Sequence, residues 1–507
     1  MPQKKWANCM NEIKKGALVS YVAVAFNAIA GLLYTPWMIS CIGSDDYGLY
    51  TLALSVINFF LIDFGLGEAV SRFLSKYKAE GNHEKAAEFL GIAYKLYFLI
   101  ALVIFVILVV IFLFVDSIYA GLTASQLATF KLLYVIVGAY SVISFPFLSF
   151  DGVLISNELF VELNLCTLLQ KISTVGLIII ALLSGMGVVS LVLVNAFTVL
   201  AFIVVKLLII VKKTDIKVAF RTSDKVLLHE VIGFSGWTTV VHLCGRVIFS
   251  IMPSILAAVS NTWEVALFGL ASSLEGYVYQ VANALGNMFM PKVSRIVAHN
   301  ASPLELQALV EQVGRIQVFI IGMLFVGFVS VGREFVECWV GAKYSMLYPC
   351  VILLILPSLF ELPQLVANTA VSAVGAMRQK AYAYLAMALA NLVLGIVLSY
   401  LFGSLGASVS ICAAYFVRTF GMDVLYRNIL SLKIRRLFAR LYGKWILPAI
   451  VTILLGLAFA NGIPLSGWAG LAISSLAIVL VYVLLMWKLY LDQDERTLLF
   501  RSIKRCR

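Results

Sequence analysis

Charged residues are scarce in this sequence. Lysine, arginine, aspartate and glutamate make up 13% of its 507 residues, whereas apolar residues make up 62%. A soluble globular domain carries roughly 25% charged residues and 45–50% apolar ones, and a chain this apolar would expose large apolar patches to water. The composition therefore excludes an ordinary soluble protein and indicates one whose solvent is mostly lipid.

Several patterns typical of enzymes and metal proteins are missing. The eight cysteines form no Cys-x-x-Cys pair and the four histidines are far apart, so the sequence has no zinc or haem signature. It also has no Walker A loop, no Gly-x-Ser-x-Gly elbow and no His-Glu-x-x-His pair. We therefore expect no enzyme, no cofactor and no bound metal, and a transporter that takes its energy from a gradient.

The surplus of basic residues does not indicate a nucleic-acid partner. The formal net charge is +12, but a nucleic-acid protein concentrates its charge in a basic, polar domain. Here lysine and arginine form short clusters between long apolar runs, as in the connections of a membrane protein.

Apolar runs long enough to cross a bilayer recur along the whole sequence. They lie at 17–42, 47–71, 91–115, 129–155, 163–185, 188–211, 229–258, 266–288, 316–338, 346–374, 381–402, 404–426, 445–461 and 467–490. The sequence therefore predicts an all-α polytopic membrane protein with about fourteen transmembrane helices, and none of the predicted connections is long enough for a soluble domain.

Basic residues gather in every second connection of this topology. The densest clusters lie within 72–95, 212–225 and 427–444, whereas the predicted outer connections contain acidic residues such as Asp45 and Asp46. Because short cytoplasmic loops collect lysine and arginine, we expect both termini to be cytoplasmic.

The two halves of the sequence share a weak repeat. Gly16 precedes Pro36 by twenty residues, and Gly233 precedes Pro253 by the same interval. Such internal symmetry is typical of transporters. The predicted domains are an N-terminal lobe of helices 1–6 (1–211), a basic cytoplasmic linker (212–228), a C-terminal lobe of helices 7–12 (229–427), and helices 13–14 with a basic tail (428–507).

The first two helices carry a more specific pattern. Its segments are Gly31–Pro36, Ile42-Gly43, Asp46–Tyr50, Asp63–Gly67 and Ser71–Phe73. This pattern resembles the opening of the polysaccharide-export flippases, the Wzx-type O-antigen transporters. That family shares the MOP superfamily with MATE drug exporters and lipid II flippases.

The resemblance implies a function in polysaccharide biosynthesis. A similar protein would flip a polyprenyl-pyrophosphate-linked oligosaccharide, such as a repeat unit of O-antigen for lipopolysaccharide, of capsule or of exopolysaccharide, across the bacterial cytoplasmic membrane. The implied partners are this lipid-linked oligosaccharide, membrane lipid, a coupling H⁺ or Na⁺, and the polysaccharide polymerase machinery. The resemblance also implies a cationic lumen for the head group.

Arg246 is the first candidate for contact with the substrate. It lies centrally in the seventh predicted helix, on a face that also carries Ser235, Thr239, Ser250 and Ser254. A charge at that depth is costly and normally faces a cavity, and a guanidinium forms a fork that matches a phosphate. Alternatively, Arg246 neutralises Glu275 or Glu361. His242, one turn away on the same face, is a further candidate for contact with the substrate, with a plain polar helix position as its alternative.

Polar faces on helices 1, 8 and 10 predict a shared aqueous cleft, to which Asn27, Tyr279 and, at the inner side, Arg72 would contribute substrate contacts. A plain anchoring role for Arg72 stays open, and Arg418 is expected to snorkel to the inner face. Glu275 and Glu361 are candidates for ion coupling, because a carboxylate in such a cavity could take up a proton or bind sodium; a structural salt bridge is the alternative. Asp63 is a candidate gating residue beside Gly65.

Two other functions fit the sequence less well. A MATE-like multidrug or cation antiporter would need an acidic, aromatic pocket, which Arg246 disfavours. A membrane glycosyltransferase could use Asp45-Asp46 as base or metal ligand, but the chain lacks the large outer loops of such enzymes.

Overall fold

The computed structural model describes residues 2–61, 64–220, 225–287, 303–462 and 467–492, with the backbone alone described at 2–18, 20–21, 57, 225–235, 284–287 and 460–462. Helices make up nearly all of these ranges, and no β-strand occurs in them.

The helices follow the apolar runs of the sequence. They are α1 (Pro2–Ile42), α2 (Ser44–Phe60), α3 (Leu66–Ala79), α4 (His83–Leu113), α5 (Val115–Ile118), α6 (Ala124–Ser144), α7 (Ser149–Ser156), α8 (Phe160–Leu183), α9 (Val188–Lys213), α10 (Lys225–Ser250), α11 (Met252–Val259), α12 (Thr262–Asn287), α13 (Pro303–Trp339), α14 (Leu347–Ile355), α15 (Ser358–Glu361), α16 (Leu365–Ala373), α17 (Met377–Ile429), α18 (Ile434–Tyr442), α19 (Ile446–Gly462) and α20 (Gly467–Leu489). Short 3₁₀ turns connect some of them, at Phe145–Leu148, Ala342–Tyr344 and Leu362–Gln364.

These helices are suited to lipid rather than to water. Eleven helical segments within the described ranges are long and apolar enough to cross a membrane. Many of their large apolar side chains point outward, including Leu33, Leu113 and Tyr400. A helix satisfies all its backbone groups internally, which is what hydrocarbon demands. The predicted all-α polytopic membrane fold is confirmed.

The count of fourteen transmembrane helices stays a prediction. One of the eleven segments, α17, bends sharply and supplies two of the predicted helices. The other two predicted helices correspond to α2, which has only 17 residues, and to α12, whose 26 residues are long enough but less apolar than those of the eleven segments.

Helix α17 is an antiparallel hairpin that turns at Gly403. The backbone there has φ 57° and ψ −135°, a conformation that suits glycine. The two halves run alongside each other: the Ser410 hydroxyl of one donates to the Asn391 carbonyl of the other at 3.1 Å. Next to the turn, Gly406 lies so close to Leu398 that a Cβ atom on it would sit 1.9 Å from the Leu398 carbonyl oxygen. The chain therefore turns between the predicted runs 381–402 and 404–426.

Replacing Gly406 with alanine should lower the thermal stability of the protein. The backbone of the hairpin would have to move to admit the new methyl group, and overpacking of this kind costs about 1–3 kcal/mol. Gly327→Ala is the matched control, since a Cβ atom there meets nothing within 4 Å. Unfolding temperatures in detergent would compare the two; equal temperatures would contradict the close packing of the hairpin.

The second predicted span, 47–71, is interrupted. Helix α2 ends at Phe60 and α3 begins at Leu66, with left-handed backbone at Phe64 (φ 49°) and Gly65 (φ 69°). The single span predicted here is therefore two helices with a break between them. Prolines interrupt other spans, since helical structure stops just before Pro253, at Pro357 and around Pro363, whereas Pro36 lies within the continuous helix α1.

The chain divides into two compact units, Met1–Ala266 and Leu267–Arg507. In the first unit, α1 packs on α8, α3 on α7, and α10 on α2 and α3; in the second, α13 packs on α19 and α20. These units are defined by proximity, whereas the predicted lobes and linker are defined by the sequence repeat, and their boundaries stay a prediction.

Candidate functional site

In the first unit, polar side chains of α10 lie against the break between α2 and α3. The Thr239 hydroxyl donates to the Phe64 carbonyl at 2.5 Å, so it satisfies a backbone acceptor at the break. One turn further along α10, His242 Nε2 lies 3.5 Å from the Glu68 carboxylate of α3, with both side chains exposed. The predicted polar face of this helix thus partly serves to hold the broken helix.

Arg246 lies one turn beyond His242, midway along the candidate membrane span Gly236–Val259. Its side chain is exposed. Among the described residues it forms no ion pair or hydrogen bond. A guanidinium stays protonated and carries five N–H donors, so Arg246 is a fixed positive charge with its donors available to a ligand.

Lys171 is a second cation midway along a span, α8. It is not among the substrate contacts predicted from the sequence. Its ammonium donates to the Asn27 side-chain oxygen of α1 at 2.7 Å. Since an amide is neutral, this bond orients the ammonium without cancelling its charge. No carboxylate pairs with Lys171 in the part of the chain that the structure describes. A single lysine in the middle of an apolar run was the available signal.

The other candidates of the first unit have varied surroundings. Arg72 lies on α3 with an exposed side chain. Asp63 lies outside the described residues. Asp45 accepts a hydrogen bond at 2.5 Å from the hydroxyl of Thr262, which also accepts one from Gln126 at 3.1 Å. This network ties three helix starts together, which gives Asp45 a structural role.

The second unit contains a buried ion pair between Glu361 and Arg418. Arg418 Nη2 lies 2.5 Å from Glu361 Oε1, and both side chains are almost fully buried. The guanidinium also sits over the rings of Tyr384 and Tyr415, at 5.0 and 4.9 Å from their centroids. The expectation that Arg418 snorkels to a membrane surface is therefore wrong. Arg418 balances the charge of Glu361 inside the unit.

Glu275 is a buried carboxyl of α12 beside this ion pair. Its side chain is 6% exposed, with the Ser358 hydroxyl next to it and Glu361 as its charged neighbour. Tyr279, one turn further along α12, packs against the apolar cluster of Ala282 and its neighbours and lies near Asn283. In the described part of this unit, Glu275 has no basic partner of its own.

A small polar cavity adjoins the ion pair. It measures about 10 Å³ and is lined by Glu361, Gln364, Asn368, Tyr384, Arg418, Thr419, Met422 and Tyr426. The Gln364 side-chain nitrogen, Asn368 Oδ1 and the nearby Asp423 Oδ1 are buried and have no hydrogen-bond partner among the residues that the structure describes. A volume of this size and polarity suits one water molecule, which would satisfy some of these atoms.

The sequence match decides the family. The model of the polysaccharide biosynthesis protein family matches residues 13–297, which is 285 of the 507 residues. This chain belongs to the polysaccharide biosynthesis protein family. The sequence resemblance to a family of polysaccharide biosynthesis is confirmed. A comparison with the curated proteins finds no match.

Solved structures share the fold of this family member. The lipid II flippase MurJ in its inward closed conformation matches with a TM-score of 0.74 at 15% identity, over 92% of this chain and 98% of that chain. An inward-facing multidrug resistance MATE family transporter of the MOP superfamily matches with 0.66 at 14% identity, over 82% and 98%. A MOP superfamily transporter from Pyrococcus furiosus, described as having a binding pocket of reverse polarity, matches with 0.59 at 12% identity, over 83% and 95%. The fold is therefore that of a multi-pass membrane transporter.

Proposed function

We propose that this protein flips a polyprenyl-pyrophosphate-linked oligosaccharide across the bacterial cytoplasmic membrane by alternating access. The observation that carries the proposal is the pair of cations, Lys171 and Arg246, each midway along a membrane span of the first unit and neither balanced by a carboxylate among the described residues. Two uncompensated charges in the middle of membrane spans cost too much free energy to be kept without a function. Because both are positive, they suit an anionic substrate.

The chemistry of the substrate explains the need for such cations. A bare pyrophosphate with several sugars pays a prohibitive desolvation penalty in hydrocarbon. A protonated lysine and a guanidinium supply charge-assisted hydrogen bonds to phosphate oxygens, which are shorter and stronger than neutral ones. In this proposal Asn27 orients Lys171, while His242 and Arg72 complete the contacts of the first unit to the head group. Tyr279 is proposed separately as a sugar contact of the second unit. No covalent bond is made or broken, so the protein acts as a transporter and not as an enzyme.

Ion coupling is assigned to the second unit. Glu361 already has its counter-charge in Arg418, so the buried Glu275 is the better carrier of an exchangeable H⁺ or Na⁺. Asp63 keeps its proposed gating role at the break between α2 and α3. Both termini are proposed to be cytoplasmic, in accordance with the distribution of lysine and arginine, and the substrate is proposed to pass on to polysaccharide polymerase machinery.

Transbilayer movement in vesicles tests the proposal. The purified protein would be reconstituted with a fluorescent polyprenyl-pyrophosphate oligosaccharide, and the fraction accessible to an external quencher would be followed over time. We expect movement with the protein and none in protein-free vesicles. Absence of movement under both a proton and a sodium gradient would reject the flippase.

A cation antiporter of the MATE type is the second candidate. The observation that favours it is Glu275, a buried carboxyl without a basic partner in the described part of its unit, since such a group suits a cationic drug. Expulsion of a cationic dye from the same vesicles, without movement of the lipid-linked sugar, would establish the antiporter instead.

Replacing Glu275 with glutamine should uncouple flipping from the gradient. The amide keeps the shape of the side chain but neither releases a proton nor carries a charge for sodium. We expect movement along the substrate gradient to persist, while acceleration by an imposed H⁺ or Na⁺ gradient disappears. Glu337→Gln is the matched control, because Glu337 is exposed and paired with Arg333 on the surface of α13. If an ion gradient accelerates substrate movement by the Glu275 variant as much as by the native protein, Glu275 is not the coupling residue.

A further inference from the structure

A basic groove lies where the start of α13 meets α18 and the end of α20. It has a volume of about 360 Å³. Its charged lining residues are Glu311, Arg315, Arg436, Arg440 and Asp492, and together with the adjacent Gln307 they are called the basic groove below. None of these residues has a place in the transport proposal.

Glu311 organises one side of the basic groove. It is buried, and its oxygens lie 3.4 Å from Arg436 Nε and 3.4 Å from Arg440 Nη1. Gln307 donates to it at 2.8 Å. The two arginine side chains are about half exposed, at 51% and 54%. Each uses one long contact of its guanidinium on Glu311, so most of their N–H donors are available to another acceptor.

Asp492 organises the other side. Arg315, which is buried and sits over the Tyr490 ring at 4.5 Å, has Nη2 3.4 Å from the Asp492 carboxylate. Lys444 Nζ lies 3.6 Å from the same carboxylate. Arg315, Arg436 and Arg440 thus face the two carboxylates Glu311 and Asp492 in the described part of the groove, which leaves the groove an excess of one positive charge. Lys444, beside the groove, adds a second.

The groove lies at a membrane surface. Helix α13 has 37 residues and is therefore about 55 Å long at 1.5 Å per residue, well beyond a hydrocarbon core of about 30 Å. Its first turns, with Glu311 and Arg315, precede its apolar part. Six residues after Arg440, α19 begins with Ile446 and Leu447, which are 49% and 63% exposed. Basic side chains thus adjoin an apolar surface that faces lipid.

We propose that the basic groove binds the phosphate headgroup of an anionic phospholipid, with the acyl chains on the exposed apolar start of α19. Basic pockets beside membrane-spanning helices select anionic headgroups, and the forked guanidinium groups of Arg436 and Arg440 match phosphate oxygens. A lipid in this place would join α13, α18 and α20, and so hold the last two helices to the rest of the second unit.

Lipid-dependent thermal stability tests the proposal. The full-length protein in a neutral detergent would be titrated with phosphatidylglycerol, phosphatidylcholine or inorganic phosphate while its unfolding temperature is followed. We expect phosphatidylglycerol to raise the unfolding temperature, and phosphatidylcholine and inorganic phosphate to raise it much less. The variant R436Q/R440Q should bind it about tenfold more weakly or worse. The control R435Q, on the same helix but outside the groove, should bind as the native protein does.

The double variant leaves Glu311 buried without its cations, so a triple variant, E311Q/R436Q/R440Q, removes that charge as well. Lipid retained by each variant would be counted by native mass spectrometry, a readout that does not depend on stability. Retention of phosphatidylglycerol by the triple variant would overturn the proposal. So would an equal loss in R435Q, which indicates a diffuse basic surface, or a full effect of inorganic phosphate, which indicates a phosphate site.

Discussion

Replacing Lys171 with methionine is expected to lower the rate of lipid-linked oligosaccharide movement by about tenfold or more. The ammonium is held by the Asn27 oxygen at 2.7 Å and has two further donors for a phosphate. A hydrogen bond between charged groups contributes about 1.5–3 kcal/mol, which corresponds to a factor of about ten to a hundred. Arg246→Met should have an effect of similar size, for the same reason.

The reconstituted vesicle assay would measure both variants. Lys131→Met is the matched control: Lys131 also lies on a spanning helix, but it pairs with the exposed Asp116 at 2.7 Å and such pairs contribute little. Lys171→Arg, which keeps the charge, should restore part of the rate. Native rates in both Lys171→Met and Arg246→Met would refute a cationic substrate path in the first unit.

The fold could largely be predicted because lipid imposes simple rules. Apolar runs of about twenty residues must be helices, and the hairpin turn at Gly403 follows from a single glycine between two such runs. The break between α2 and α3 could not be predicted in detail. The glycines there indicate a bend, but the partner of the open Phe64 carbonyl, Thr239, lies far away in the sequence.

The candidate site was harder to predict than the fold, because a sequence shows which residues are charged but not which charges meet. Arg418 and Glu361 are 57 positions apart, and their spacing gives no hint of a buried pair. Without that pair, Glu275 and Glu361 are equivalent candidates for ion coupling. With it, one carboxylate has its counter-ion and the other does not. Lys171 is absent from the substrate contacts predicted from the sequence, although a lone cation in an apolar run is a recognisable signal of a functional residue.

Breaking the buried pair from one side is expected to destabilise the protein strongly. Arg418→Met leaves the Glu361 carboxylate buried without a counter-charge, and Glu361→Gln strands the guanidinium in the same way. Removing one partner of a buried pair costs about 3–5 kcal/mol. Either single variant should therefore unfold at a clearly lower temperature than the native protein. The protein would be heated in detergent and passed over a size-exclusion column, and the fluorescence of the eluted peak would give the fraction that stays monodisperse.

The double variant E361Q/R418M distinguishes a structural pair from a coupling site. With both charges gone, no buried charge is left unpaired, and replacement of a whole buried pair is often close to neutral. The double variant should therefore be more stable than either single variant, and it should still respond to an ion gradient, because Glu275 is unchanged. If it recovers no stability, each partner has a larger share in other contacts, such as those of Arg418 with Tyr384 and Tyr415. If stability returns but the gradient response is lost, the exchangeable ion is held at Glu361 rather than at Glu275.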